Sequence, residues 1–226
     1  MKIQQFTYLA LHFITLLGPL SRSFEPRINY YKKWKSAFTS IFITAIFFIV
    51  KDVYFTKWGV WSFNEKYITG IKLFNLPIEE ILFFFTVPFA CIFIFEVVDL
   101  FFKQQLSQKT ISLIQHFAMI TMLGFCFFGW GKLYTFFYAF STFLFLIIQT
   151  YFIRPNYLTT FYITYLFHLI PFFLINGILT ALPVVMYNNS ENLDIRLITI
   201  PIEDCIYSFL LLGINITIYK ILNSKK

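Results

Sequence analysis

Fifteen consecutive residues from Ile81 to Phe95 carry no formal charge, and the stretch from Cys205 to Tyr219 is another run of the same kind. Such runs approach the ~20 apolar residues that cross a bilayer as a helix. Within lipid every backbone polar group has to be satisfied inside the chain, which leaves only helices and closed barrels. A barrel needs alternating strands of ~10 residues, and the run from Phe140 to Ile148 does not alternate. Composition agrees: 58% of residues are hydrophobic and 13% are charged, against ~25% charged in a soluble domain. Mean hydropathy is +0.71. The chain reads as an all-α membrane protein.

The apolar runs predict seven transmembrane helices, at about 4–20, 36–55, 77–99, 109–128, 132–152, 157–180 and 201–222. Gly18-Pro19 is expected to stop the first, Gly129-Trp130-Gly131 to turn the chain after the fourth, and Pro171 to kink the sixth. The N-terminal run lacks a small-residue cleavage site, so it is expected to be a first helix rather than a signal that is removed. No stretch reads as a soluble domain or a linker, so residues 1–226 are expected to form one transmembrane domain.

Two of the runs begin with the same motif. Leu76-Pro77-Ile78-Glu79-Glu80 heads the first, and Ile200-Pro201-Ile202-Glu203-Asp204 heads the second. At one constant offset Lys72 meets Arg196, Pro77 meets Pro201, Glu79 meets Glu203 and Glu80 meets Asp204, without a gap. The register continues backwards, where Asn64 meets Asn188, Phe63 meets Tyr187 and Asp52 meets Asn176. This predicts a duplicated three-helix unit: one repeat over about 4–99, a second over about 132–222, and an extra helix over about 109–128 between them. The extra helix makes the two repeats start from the same side, so they are parallel and related by an axis along the membrane normal. Both acidic pairs then lie at one depth.

The net charge of +7 is carried by basic residues in short loops, where orientation signals belong, rather than by a nucleic-acid-binding patch. Lys2, Lys51, Lys57, Lys66, Lys72, Lys132 and Arg196 fall on the side of the N-terminus. A larger set falls opposite: Arg22, Arg27, Lys32, Lys33, Lys35, Lys103, Lys109, Arg154, Lys220, Lys225 and Lys226. The excess predicts the N-terminus outside and the C-terminus in the cytoplasm of a multi-pass cell-membrane protein. Cys91, Cys126 and Cys205 show no CxxC or Cys/His spacing, so neither a disulfide nor a metal is expected. His12, His116 and His168 share no spacing and read as packing residues.

Proline suits the first helical position, which would place Glu79, Glu80, Glu203 and Asp204 in first turns. There the helix dipole favours an ionised carboxylate by ~0.3–1 kcal/mol. Burial and mutual repulsion favour a protonated one, and a protonated carboxyl beside an ionised one is an acid–base pair. Helix capping with ion pairs to Lys72 and Arg196 is the plain alternative, and the duplication weighs against it. Asn64 and Asn188, at matched positions, suggest a hydrogen-bonding role. Trp58, Trp61, Phe63 and Tyr187 suggest a rim or an interfacial belt, and buried rings elsewhere could steady a carbocation. A Glu96–Lys220 bridge between the repeats is a further expectation. Intramembrane carboxylates in parallel repeats also fit a proton-coupled transporter; the scarcity of helix breaks beyond Pro88 and Pro171 counts against it. A retinal-binding protein wants a lysine near the middle of its seventh span, and Lys220 lies at the end.

The pattern from Gly59 to Asn64, the motif Leu76 to Glu80 with its continuation through Pro88, Cys91 and Glu96, and the second copy through Tyr207 and Leu212 resemble the membrane-integral carotenoid lycopene cyclases. These comprise the heterodimeric bacterial type and the cyclase domain of a fungal fusion with phytoene synthase; the chain is similar to a fused heterodimer over essentially its whole length. Lys220 departs from the acid that Glu96 would suggest. The resemblance implies a redox-neutral cyclase without a cofactor. A proton adds at C2 of the ψ end of lycopene, the ring closes through a C5 cation, and a proton leaves C6 to give a β-ionone ring. It implies lycopene or a related linear carotene as substrate, the bilayer as its medium, and other carotenoid enzymes as associates. No GxGxxG fingerprint supports a flavin-type mechanism. The expected catalytic set is Glu79, Glu80, Glu203 and Asp204, with Asn64, Asn188, Trp61, Phe63, Tyr187, Asp52 and Asn176 binding substrate. Glu79→Gln or Glu203→Gln is then expected to abolish ring formation.

Overall fold

The computed structural model describes residues 3–224; Lys2, Lys225 and Lys226 of the charge count lie outside them. Seven α-helices dominate: α1 (Thr7–Arg22), α2 (Trp34–Lys57), α3 (Ile78–Phe101), α4 (Gln108–Phe128), α5 (Leu133–Ile147), α6 (Leu158–Ala181) and α7 (Ile202–Ser224). The last six, with their adjoining turns, are long and apolar enough to cross a membrane. The 16 residues of α1 rise only ~24 Å at 1.5 Å each, and a 3-10 turn, Ile3–Phe6, precedes them.

Gly18-Pro19 does not stop α1, which runs on to Arg22. Pro19 stands in the last turn, where it removes a single hydrogen bond, and Ser23 closes the end by donating its hydroxyl to the Pro19 carbonyl at 2.6 Å. Helix α6 runs through Pro171 and α3 through Pro88. Helix α5 continues as a π-helix over Ile148–Ile153, and Arg154 ends it in a left-handed conformation.

Helices α3 and α7 form the centre. Helix α3 packs on α1, α2, α6 and α7, and α7 also packs on α5 and α2. At one crossing Gly213 lies so close to α5 that an added Cβ would sit 2.6 Å from a Phe145 ring carbon. Helix α4 lies outside against α5, with Leu113, Phe117, Ile120 and Phe127 exposed. At the end away from the acidic motifs, Glu96 accepts hydrogen bonds from Lys33 and, at 2.7 Å, from the Tyr219 hydroxyl. The expected bridge to Lys220 is therefore replaced by one to Lys33; Lys220 lies over the Phe95 and Tyr157 rings instead.

Short strands join the helices. Strand β1 (Trp61–Phe63) pairs antiparallel with β4 (Val185–Tyr187), so the chain after α2 meets the chain after α6. Strands β2 (Lys72–Leu73) and β3 (Leu76–Pro77) form one hairpin, and β5 (Arg196–Leu197) and β6 (Ile200–Pro201) form another. The prolines therefore stand one place before the helices, not in their first position. Pro77 is extended (φ −57°, ψ 146°) because it is paired with Lys72 in the hairpin. The helix begins at the next residue, whose N–H still bonds backward: Ile78 to the Ile71 carbonyl at 2.9 Å, Ile202 to that of Ile195 at 3.0 Å.

Candidate functional site

The two hairpins set the site. Each turns at a bulky residue held left-handed, Phe74 (φ 57°) in one and Ile198 (φ 63°) in the other. Left-handed backbone is uncommon for such residues, and its recurrence at matched positions marks one local design made twice. The hairpin delivers two acids into the first turn of the following helix, one residue and so ~100° apart. They consequently face different surroundings.

The first acid of each pair turns back to its own loop. Glu79 accepts the Thr69 N–H at 2.7 Å, and Glu203 accepts the Leu193 N–H at 2.8 Å and the Thr135 hydroxyl at 2.6 Å. Both are fully buried, and the second oxygen of each lacks a partner. The His12 ring braces the same region: its Nε2 donates to the Glu79 carbonyl at 2.9 Å, which leaves Nδ1 to accept from the Thr86 hydroxyl at 2.9 Å.

The second acid of each pair faces a shared cavity. Glu80 accepts the Tyr8 hydroxyl at 2.7 Å and shares the cavity wall with Asp52. Asp52 in turn pairs with Lys51. Asp204 receives the Tyr134 hydroxyl, the Tyr187 hydroxyl at 2.8 Å and the Asn176 amide at 2.7 Å. Burial, then the neighbouring Asp204, pushes the Tyr187 hydroxyl well above its usual pKa. Trp61, Phe63, Phe83, Tyr138 and Tyr207 complete the wall. Lys51 points its ammonium at five rings: Trp61 at 4.6 Å, Tyr138 at 4.8 Å, Phe55 at 5.0 Å, Tyr207 at 5.4 Å and Phe48 at 5.9 Å from the ring centres.

An apolar groove adjoins the cavity and shares Phe83, Asn176 and Tyr207 with it. Val87, Pro88 and Cys91 of α3, Pro171, Phe172 and Ile175 of α6, and Leu211 of α7 line it. An acid-lined chamber beside an apolar groove between membrane helices suits a long apolar molecule that reacts at one end.

The model of the lycopene cyclase family matches residues 5–98 and 131–222. The chain belongs to the lycopene cyclase family. Neither a curated protein sequence nor a solved structure matches it. As a lycopene cyclase family member it is a carotenoid cyclase, and its apolar helices make it a multi-pass membrane protein.

In this member of the lycopene cyclase family, the residues singled out in the sequence divide in two. Glu80, Asp204, Asp52, Asn176, Trp61, Phe63 and Tyr187 line the cavity. Glu79, Glu203, Asn64 and Asn188 stand outside it. The two asparagines do the same work in their loops. The Asn64 N–H bonds the Val184 carbonyl at 3.0 Å, and the Asn188 N–H bonds that of Val60 at 2.9 Å. Each side-chain oxygen accepts a backbone N–H two residues on, at 3.1 Å. They tie the β1 and β4 strands together, because a short polar side chain that bonds its own backbone stabilises a turn. Nor do the motif acids pair with the basic residues before them: Lys72 bonds Glu65, and Arg196 bonds Asn189. Lys51, counted with loop charges in the sequence, is buried in α2. Lys51, Tyr8, Tyr134, Tyr138, Phe83 and Tyr207 were not singled out as site residues. A lysine next to an aspartate in an otherwise uncharged run was the available signal for Lys51.

Proposed function

We propose that the protein closes the ψ end of lycopene, or of a related linear carotene, into a β-ionone ring without net oxidation or reduction. Glu80 and Asp204 are the acid–base pair. The end group lies among Asp52, Asn176, Trp61, Phe63 and Tyr187, and the polyene tail runs through the groove past Phe83 into lipid. The observation that carries this reading is the convergence of two carboxyls, from matching positions in the two motif copies, on one cavity flanked by an apolar groove. Glu79 and Glu203 hold the loops that roof it. No redox group is required, because the proton gained at C2 is balanced by the one lost from C6.

The same reading takes α1 with Ile3–Phe6 as a seventh span, and the two matched sets of hairpin, strand and helix as parallel repeats joined by α4. It puts the N-terminus outside, the C-terminus in the cytoplasm of a cell membrane, and the cavity near the outer leaflet. Association with other carotenoid enzymes would deliver the substrate. The direct test is pigment analysis after purified protein in detergent meets lycopene with no gradient, nucleotide or flavin. Ring-bearing product supports the reading, and unchanged lycopene refutes it.

A further inference from the structure

The duplication is not faithful at the cavity. Glu80 answers Asp204, but Asp52 answers Asn176 and Lys51 answers Ile175. The two carboxyls therefore sit in unlike hydrogen-bond settings. Asp204 receives three donors, from Tyr134, Tyr187 and Asn176, on its two oxygens. An ionised carboxylate, which only accepts, satisfies all three. Glu80 lines the cavity together with a second carboxyl, Asp52, and two like charges in one buried site favour a proton on one of them. The Lys51 ammonium, caged by rings, sits on Asp52 and holds the negative charge there. The proton is thereby left to Glu80, which also keeps the Tyr8 hydroxyl.

Resting on the cyclase reading, we propose that the cavity works in one direction: Glu80 gives the proton, Asp204 takes it, and Lys51 is a positioning residue that acts through Asp52 to keep Glu80 loaded. The Glu80 O–H bond breaks, and the C1=C2 electron pair takes its proton to form C2–H. The C5=C6 pair then closes C1–C6 and leaves the charge on C5. The C6–H bond breaks, its electron pair restores C5=C6, and the proton passes to Asp204. No electron is gained or lost. Return of that proton to Glu80 resets the site. The rings around Lys51 are engaged by an ammonium, so they serve the acid rather than the substrate cation.

The test is a single turnover with protein in detergent equilibrated in D₂O. The unaltered protein places deuterium at C2. Asp204→Asn retains its acid, so deuterium still enters, at C2 of recovered lycopene or in rings closed by loss of a different proton. Glu80→Gln leaves all pigment unlabelled. The opposite labelling pattern, or no label from either variant, overturns the direction while rings made by the unaltered protein leave the cyclase reading standing. If the unaltered protein makes no rings, the cyclase reading itself fails. For Lys51, Lys51→Met and Asp52→Asn are each expected to lower kcat about 100-fold with KM little changed, per molecule of membrane-inserted protein. The double variant should be no worse than either single one, as expected of residues acting as a unit. A double variant showing the product of the two losses overturns the positioning role.

Discussion

Replacing Glu203 separates a structural carboxyl from a chemical one. In Glu203→Gln the retained carbonyl oxygen still accepts the Leu193 N–H and the Thr135 hydroxyl, now at 2.8 and 2.6 Å. The new amide nitrogen takes the place of an oxygen that already lacks a partner. One unpaired buried atom replaces another and both accepted bonds are kept, so the cost stays below that of one neutral hydrogen bond, ~0.5–1.5 kcal/mol. That limits any loss of turnover per inserted molecule to about tenfold. Glu203→Ala is different: it strands two buried donors at ~1–3 kcal/mol each, enough to deplete a marginally stable protein. Asp204→Asn or Glu80→Gln should instead leave the protein inserted and lower turnover by ~10²–10⁴-fold, the usual contribution of a general acid or base. The assay is ring formation from lycopene, normalised to detergent-extracted folded protein, for all four variants and for Glu79→Gln. If Glu203→Gln and Glu79→Gln are as inactive as Glu80→Gln at normal protein levels, the division between bracing and reacting carboxyls is wrong.

Gly213→Ala would bring a methyl within 2.6 Å of the Phe145 ring, so it should lower thermal stability in detergent by about 1–3 kcal/mol, and Phe145→Leu should restore most of it. Folding raises the Tyr187 pKa above its ordinary ~10. Its contribution is thus fully present below pH ~10 and is lost as pH climbs towards the folded-state value; Tyr187→Phe should flatten this alkaline fall in a Tm-against-pH series. A single cysteine at exposed Ser190 should react with an impermeant maleimide from outside intact cells, and one at exposed Gln104 only after lysis; the reverse pattern would invert the topology.

The helices were legible because uncharged runs of membrane length leave few folds open, and the expected ends fall within a few residues of α2 to α7. The alignment of the two motifs also found the acids that reach the cavity. It did not separate Glu80 from Glu79, or Asp204 from Glu203. Adjacent residues share a motif, and only the hairpin's exit angle decides which one turns inward. The strands were missed because two or three residues at Trp61–Phe63 or Lys72–Leu73 are too short to carry a period. Tyr8 and Tyr134 escaped for another reason. They do the same job in the two halves, as partners of Glu80 and Asp204, but they lie two residues out of the register that aligns the motifs. A fixed offset cannot see a relationship that helix rotation has preserved and sequence spacing has not.

The pairing of β1 with β4 sets Trp61 against Tyr187, the counterpart of Phe63, and Phe63 against Val185, the counterpart of Trp61, while Ser62 faces its own counterpart Met186. Every hydrogen bond to Glu80 named above comes from the half before α4, and every one to Asp204 from the half after it. Each half thus supplies the hydrogen bonds to its own carboxyl, and the chamber lies where the two halves meet. A gene cut within the connection ahead of α4 should therefore yield two polypeptides that are inert alone and regain ring closure when co-expressed.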